Sequence, residues 1–123
     1  MPVILIAEDE PHIFRVLRIA LEKAGYVVEH AVNGKEALVK ILSCAPDALI
    51  SDIAMPIMDG RELCVRLEEE LPERTFPIII STSKAGIEHR EWSAKINNLT
   101  FMEKPASLRA LVALMHELVP VDP

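Results

Sequence analysis

The 123-residue chain has only two cysteines, Cys44 and Cys64, and they do not form a CxxC pair. That excludes a disulfide-stapled scaffold and a zinc ribbon, which need more thiols at closer spacing. Two free thiols are expected. No apolar run reaches the ~18 residues of a membrane span. The apolar opening Met-Pro-Val-Ile-Leu-Ile-Ala has no basic flank and runs straight into acids, so it is not a secretory signal. A cytoplasmic protein is the resulting expectation. Basic residues are in deficit: 13 Lys and Arg against 19 Asp and Glu give a formal charge of −6. Non-specific nucleic-acid binding needs a basic surface, so it is not expected. Repeats, low-complexity stretches and interdomain linkers are absent. The four histidines, His12, His30, His89 and His116, show neither metal-ligand spacing nor a nucleophilic partner and read as surface or structural.

What the chain does have is a core. Hydrophobic residues make up 50% of it, enough for one domain over residues 1–123. Residues 3–7 form a short apolar run rich in branched side chains, the mark of a strand buried on both faces. Pro11 suits the first turn of a helix. That helix carries Ile13, Leu17, Ala20, Leu21 and Ala24 at helical spacing, with Gly25 as its stop. A second strand is expected over 26–31. Asn33 with Glu36 then resembles a capping box for a helix burying Ala37, Leu38, Ile41 and Leu42. Residues 48–51 form a third strand ending at Asp52, residues 53–60 a loop, and 61–71 a helix opened by Asp59 or Gly60. A fourth strand covers 77–81 and a polar loop 82–86. The next helix, 87–96, has a ragged stripe of Ile87, Trp92, Ala94 and Ile96. A fifth strand covers 99–102, and Ser107 caps a last helix burying Leu108, Leu111, Val112, Leu114, Met115 and Leu118. Five strand–helix alternations predict an α/β fold, a doubly wound parallel sheet with helices on both faces.

Ligands of such sheets bind beyond the carboxyl ends of the strands. Glu8, Asp9 and Glu10 follow strand one, Asp52 strand three, Thr82 strand four and Lys104 strand five. Glu8, Asp9 and Asp52 would repel one another without a cation. An all-oxygen donor set favours Mg²⁺ or Ca²⁺ over zinc, and few protein carboxylates beside a phosphate fit Mg²⁺. Lys104 and Thr82 supply a positive charge and a hydroxyl for phosphate oxygens. A carboxylate nucleophile beside Mg²⁺ and a lysine can form an aspartyl-phosphate. A solvated acidic run capping the next helix is the bland alternative for residues 8–10. Thr82 could simply bond local backbone, Phe101 could be core, and Trp92 could be helix packing.

Four segments carry a resemblance: 4–11 (ILIAEDEP), 52–60 (DIAMPIMDG), 77–83 (PIIISTS) and Lys104-Pro105. In this order and spacing the chain resembles the receiver domains of bacterial response regulators. The resemblance implies a flavodoxin-like (βα)5 fold with strand order 2-1-3-4-5. It implies Asp52 as phosphoacceptor, with Asp9, Asp52 and the backbone carbonyl of Ala54 as Mg²⁺ ligands and Glu8 acting through water. Thr82 and Lys104 would contact the phosphoryl group, and Thr82 with Phe101 would be the switch pair. The partners implied are a sensor histidine kinase or phosphotransfer protein upstream. Downstream, a target would bind the face of the fourth helix, fifth strand and fifth helix. The resemblance leaves open whether the phosphorylated form pairs with a second copy. Phe101 lacks the hydroxyl of the tyrosine frequent at its position, so a switch there would act by packing. Asn97-Asn98 replaces a common Gly-Ala step, and Asn97 is expected to take the left-handed backbone. Two other readings are a pseudo-receiver that binds partners without phosphorylation and a Mg²⁺-dependent phosphohydrolase. The second needs an acid two residues after the nucleophile, where this chain has Ala54, so an enzyme with turnover is not expected.

Overall fold

The computed structural model describes residues 1–83, 87–104 and 107–121. Residues 84–86 of the expected polar loop, and Pro105 of the Lys-Pro step, lie outside the described residues. Ten elements alternate: β1 (Val3–Ala7), α1 (Pro11–Lys23), β2 (Val27–Ala31), α2 (Gly34–Ser43), β3 (Ala48–Asp52), α3 (Gly60–Glu70), β4 (Ile78–Thr82), α4 (Ile87–Ser93), β5 (Leu99–Glu103) and α5 (Leu108–Leu118). The strands form one parallel sheet in the order β2-β1-β3-β4-β5, as expected.

The alternation of side chains along each strand divides the core in two. Leu5, Leu49, Ile78 and Ile80 join Leu38, Ile41, Leu63 and Leu67 on one face. Ile4, Ile6, Ile50 and Ile79 join Leu21, Leu111 and Met115 on the other. Each such side chain contributes about 1.5–3 kcal/mol by leaving water. The central strands are therefore continuous apolar runs, whereas the edge strand β2 alternates, with Val27 and Glu29 exposed.

Local signals set most boundaries. Gly25, at φ 103°, ends α1. Its N–H donates to Glu22 O and that of Tyr26 to Leu21 O, both at 3.1 Å, the paired bonds of a left-handed helix stop. Asn33 Oδ1 accepts from Glu36 N at 2.8 Å, Asp59 Oδ1 from Glu62 N at 2.8 Å, and Ser107 Oγ from Ala110 N at 3.2 Å. Among the expected inward residues, Leu42, Ala94 and Leu108 are exposed instead. α4 stops at Ser93, so Ile96 is buried from the following turn rather than from the helix. Thr82 is the last residue of β4 rather than the first of a loop. The left-handed residue before β5 is Asn98, at φ 56°, not Asn97. Asn98 presents its carbonyl to Ile78 N at 2.9 Å, and this contact at the start of the β4–β5 pairing selects which asparagine turns.

Candidate functional site

The site lies at the carboxyl ends of β1, β3, β4 and β5. Neighbouring β1 and β3 are in register from Ile4 with Ala48 to Ala7 with Ser51. Glu8 and Asp52, one residue further on each strand, therefore emerge side by side. Carboxylate oxygens of Glu8, Asp9 and Asp52 come within 4.8 Å of one another. Lys104, just beyond β5, reaches into the group. Its Nζ donates to Asp52 Oδ2 at 3.0 Å and lies 3.8 Å from Glu8 Oε1. The backbone joins in: Lys104 N donates to Thr82 O at 2.8 Å, tying the ends of β4 and β5 together.

Asp52 is held from several sides. Its Oδ1 accepts from Ile53 N at 2.7 Å, and its carbonyl accepts from Ser51 Oγ at 2.7 Å. Gly60 packs directly over that carbonyl: a Cβ there would lie 2.2 Å from Asp52 O. Gly60 N donates to Ile53 O at 2.8 Å, so α3 begins against the backbone of the site.

Glu8 is 3% exposed. Burial raises its pKa above the ordinary 4.5, the Asp52 charge adds to this, and the Glu10 N–H and Lys104 work against it. Its backbone is clamped to β2, with Glu8 N donating to Ala31 O at 3.0 Å and Glu8 O meeting His30 Nε2 at 2.8 Å. His30 stacks on Phe14 at 3.6 Å between ring centroids. Asp9 is exposed, and Thr82, 6% exposed, is the last residue of β4, its carbonyl held by the Lys104 backbone. An apolar hollow of about 530 Å³, walled by Ile13, Val16, Leu17 and Leu108, opens onto Glu8, Asp52 and Lys104. A larger hollow of about 730 Å³ lies at the opposite sheet end, beside Pro46, Leu71 and Arg74, and contains no candidate site residue.

Every candidate acid and the lysine thus converge. A donor set of carboxylate oxygens only, one of them buried, fits a hard divalent cation. Phe101 stands apart, half-buried on β5 against α4. Ala54 is exposed in the loop after β3. Sequence reasoning missed His30, Ser51 and Gly60. Of these only Gly60, a glycine eight positions after the acid, leaves a signal, and on sequence alone that signal marks the start of a helix. The two cysteines are free, Cys44 exposed and Cys64 buried. Among the described residues no helix is long and apolar enough to cross a membrane.

Comparison with known proteins matches this arrangement. The family described as response regulator receiver domain covers residues 4–116. Response regulator MprA of Mycolicibacterium vanbaalenii is 35% identical over 97% of this chain, which spans 51% of that protein. The chain thus covers about half the length of that relative. Among solved structures, chemotaxis protein CheY4 of Vibrio cholerae superposes with a TM-score of 0.86 at 27% identity, over 97% of this chain and 99% of that one. Response regulator TrrA of Thermotoga maritima, solved in complex with Mg(2+)-BeF, gives a TM-score of 0.81 at 28% identity, over 97% of this chain and 100% of that one. Sheet order, the acids at the ends of β1 and β3, the lysine after β5 and these matches agree: the chain belongs to the response regulator receiver domain family.

Proposed function

We propose that Asp52 accepts a phosphoryl group from the phosphohistidine of a sensor kinase or phosphotransfer protein and stores it as a signal. The observation that supports this best is the meeting of Glu8, Asp9 and Lys104 around the Asp52 carboxylate. In the transfer an Asp52 oxygen forms the new O–P bond as the N–P bond of the donor breaks, and the freed imidazole takes up a proton. Asp9, Asp52 and the Ala54 carbonyl would hold Mg²⁺, with Glu8 acting through water, and the ion would supply charge neutralisation for the phosphoryl oxygens. The Mg(2+)-BeF complex of TrrA supports this for a relative.

Lys104 already sits on Asp52 Oδ2, so its charge is in place before the phosphoryl group arrives. Thr82 would offer its hydroxyl to a phosphoryl oxygen. The apolar wall of Ile13, Val16 and Leu108 beside Asp52 is a surface against which the donor protein would seat. Thr82 and Phe101 would pass the change to the face of α4, β5 and α5, where a downstream protein would bind. Residues 1–123 would act as one cytoplasmic switch domain. Ala54 provides no general acid for turnover, which supports storage of the phosphoryl group over hydrolysis of a substrate.

The test is phosphorylation by acetyl phosphate with Mg²⁺, read by intact mass. Wild type should gain one phosphoryl group and Asp52→Asn none. A phosphorylated Asp52→Asn would overturn the assignment.

A further inference from the structure

Three aromatic rings meet between α4 and β5. Trp92 and Phe101 lie 6.0 Å apart at an interplanar angle of 77°, edge to face. His89 is 5.9 Å from Trp92 at 83° and 5.9 Å from Phe101 at 25°. The Trp92 indole N–H donates to His89 Nδ1 at 3.2 Å. Trp92 is 7% exposed, so an N–H removed from water there needs an acceptor. Nδ1 can accept only through its lone pair, which fixes the direction of both rings.

The cluster borders the switch residues. Phe101 is in register with Ile80, and Thr82 lies two positions further along β4, on the same face. Phe101 carries no hydroxyl, so its position is set by packing, against the two rings and the core beneath them.

We propose that the Trp92–His89 hydrogen bond is a latch on the resting state, which makes His89 a positioning residue of the switch. The proposal rests on the reading of Asp52 as phosphoacceptor. When Thr82 turns toward a phosphoryl group, Phe101 moving toward the space it leaves must break or drag along its edge-to-face contact with Trp92. The hydrogen bond holds Trp92 in place and so favours the unphosphorylated arrangement. One net hydrogen bond biases such an equilibrium by about threefold to tenfold.

Trp92 is the one tryptophan of the chain, so its fluorescence reports on the latch directly. Wild type, His89→Phe and His89→Asn are titrated with beryllofluoride at saturating Mg²⁺, with the adduct followed by fluorine NMR. His89→Phe keeps a ring but removes the acceptor, and His89→Asn keeps an acceptor oxygen near the Nδ1 position. The His89→Phe midpoint should fall about threefold to tenfold, and resting Trp92 emission should shift toward the bound form. His89→Asn should stay close to wild type. In a Phe101→Leu background, His89→Phe should add nothing. His89→Leu serves as a second acceptor-free variant should His89→Phe not fold. An acceptor-free variant that folds and titrates like wild type overturns the latch, and so does a His89→Asn shift as large as that of His89→Phe. A wild type that forms no adduct overturns the Asp52 reading, and the latch with it.

Discussion

Lys104 Nζ and Asp52 Oδ2 are 3.0 Å apart, a hydrogen bond that joins residues 52 positions apart in the chain. The lysine pairs with the candidate phosphoacceptor and also faces Glu8.

Removing this contact should slow phosphorylation without unfolding the protein. A charge-assisted hydrogen bond is worth about 1.5–3 kcal/mol, so Lys104→Ala should lower the acetyl phosphate rate by roughly tenfold to a hundredfold. Lys104→Arg should fall between, since a planar guanidinium replaces a point charge. Rates by intact mass, with thermal melts as control, check this. An unchanged Lys104→Ala rate would exclude Lys104 from the phosphoryl site.

Glu8 predicts a pH dependence of stability. Its carboxyl titrates above 4.5 in the fold, chiefly because it is buried. Between that ordinary value and the raised one, the unfolded chain is ionised while the native chain still binds a proton. Stability therefore falls as pH rises through this window, and the penalty is complete above it. Glu8→Gln has no such penalty. Urea melts of the metal-free protein should show the advantage of Glu8→Gln over wild type growing with pH and then levelling off. A difference constant across pH would contradict the burial argument.

Gly60→Ala should damage fold and site together. The new Cβ would meet Asp52 O at 2.2 Å and Ile53 Cα at 3.0 Å, both backbone atoms with little freedom to move. Overpacking of this kind costs about 1–3 kcal/mol. The atom forced to shift belongs to Asp52, so phosphorylation should drop even well below the melting temperature. Normal phosphorylation in a destabilised variant would separate the two effects and refute the link.

The cysteines should react unequally. Burial pushes the Cys64 thiol up to about 12, whereas Cys44 is exposed. At mildly alkaline pH a disulfide reagent should label one thiol in native protein and both in guanidinium. Rapid labelling of both in the native state would show that α3 opens readily.

The elements that sequence revealed are those whose environment is uniform. β1, β3 and β4 are buried on both faces, so they read as unbroken apolar runs. Asp52 stood out because a charge directly after such a run must face a ligand, water or a partner, whereas Lys104 follows the partly exposed β5 and stood out through its Lys-Pro step in the family-like order of segments. Leu42 and Leu108 misled because a helix turns 100° per residue, and one position decides between core and solvent. Asn98 rather than Asn97 takes the left-handed turn because strand register, a long-range property, makes the choice. His30 on the Glu8 carbonyl, Ser51 on the Asp52 carbonyl and the Trp92–His89 bond leave no periodic trace, since each depends on where separate elements meet.

The strand order has a consequence for how the protein comes into being. β1 and β3, which carry the carboxylates, are central neighbours, while Lys104 follows β5, the opposite edge of the sheet. A chain emerging from the ribosome presents its acids early and its lysine late. Bringing Lys104 to Glu8 closes a loop of nearly the whole domain, the slowest class of contact to form. The acids therefore wait for their lysine until the final edge strand docks. On the proposed reading of Asp52, full competence to receive a signal then coincides with completion of folding, and an unfinished chain carries the candidate acceptor without its lysine.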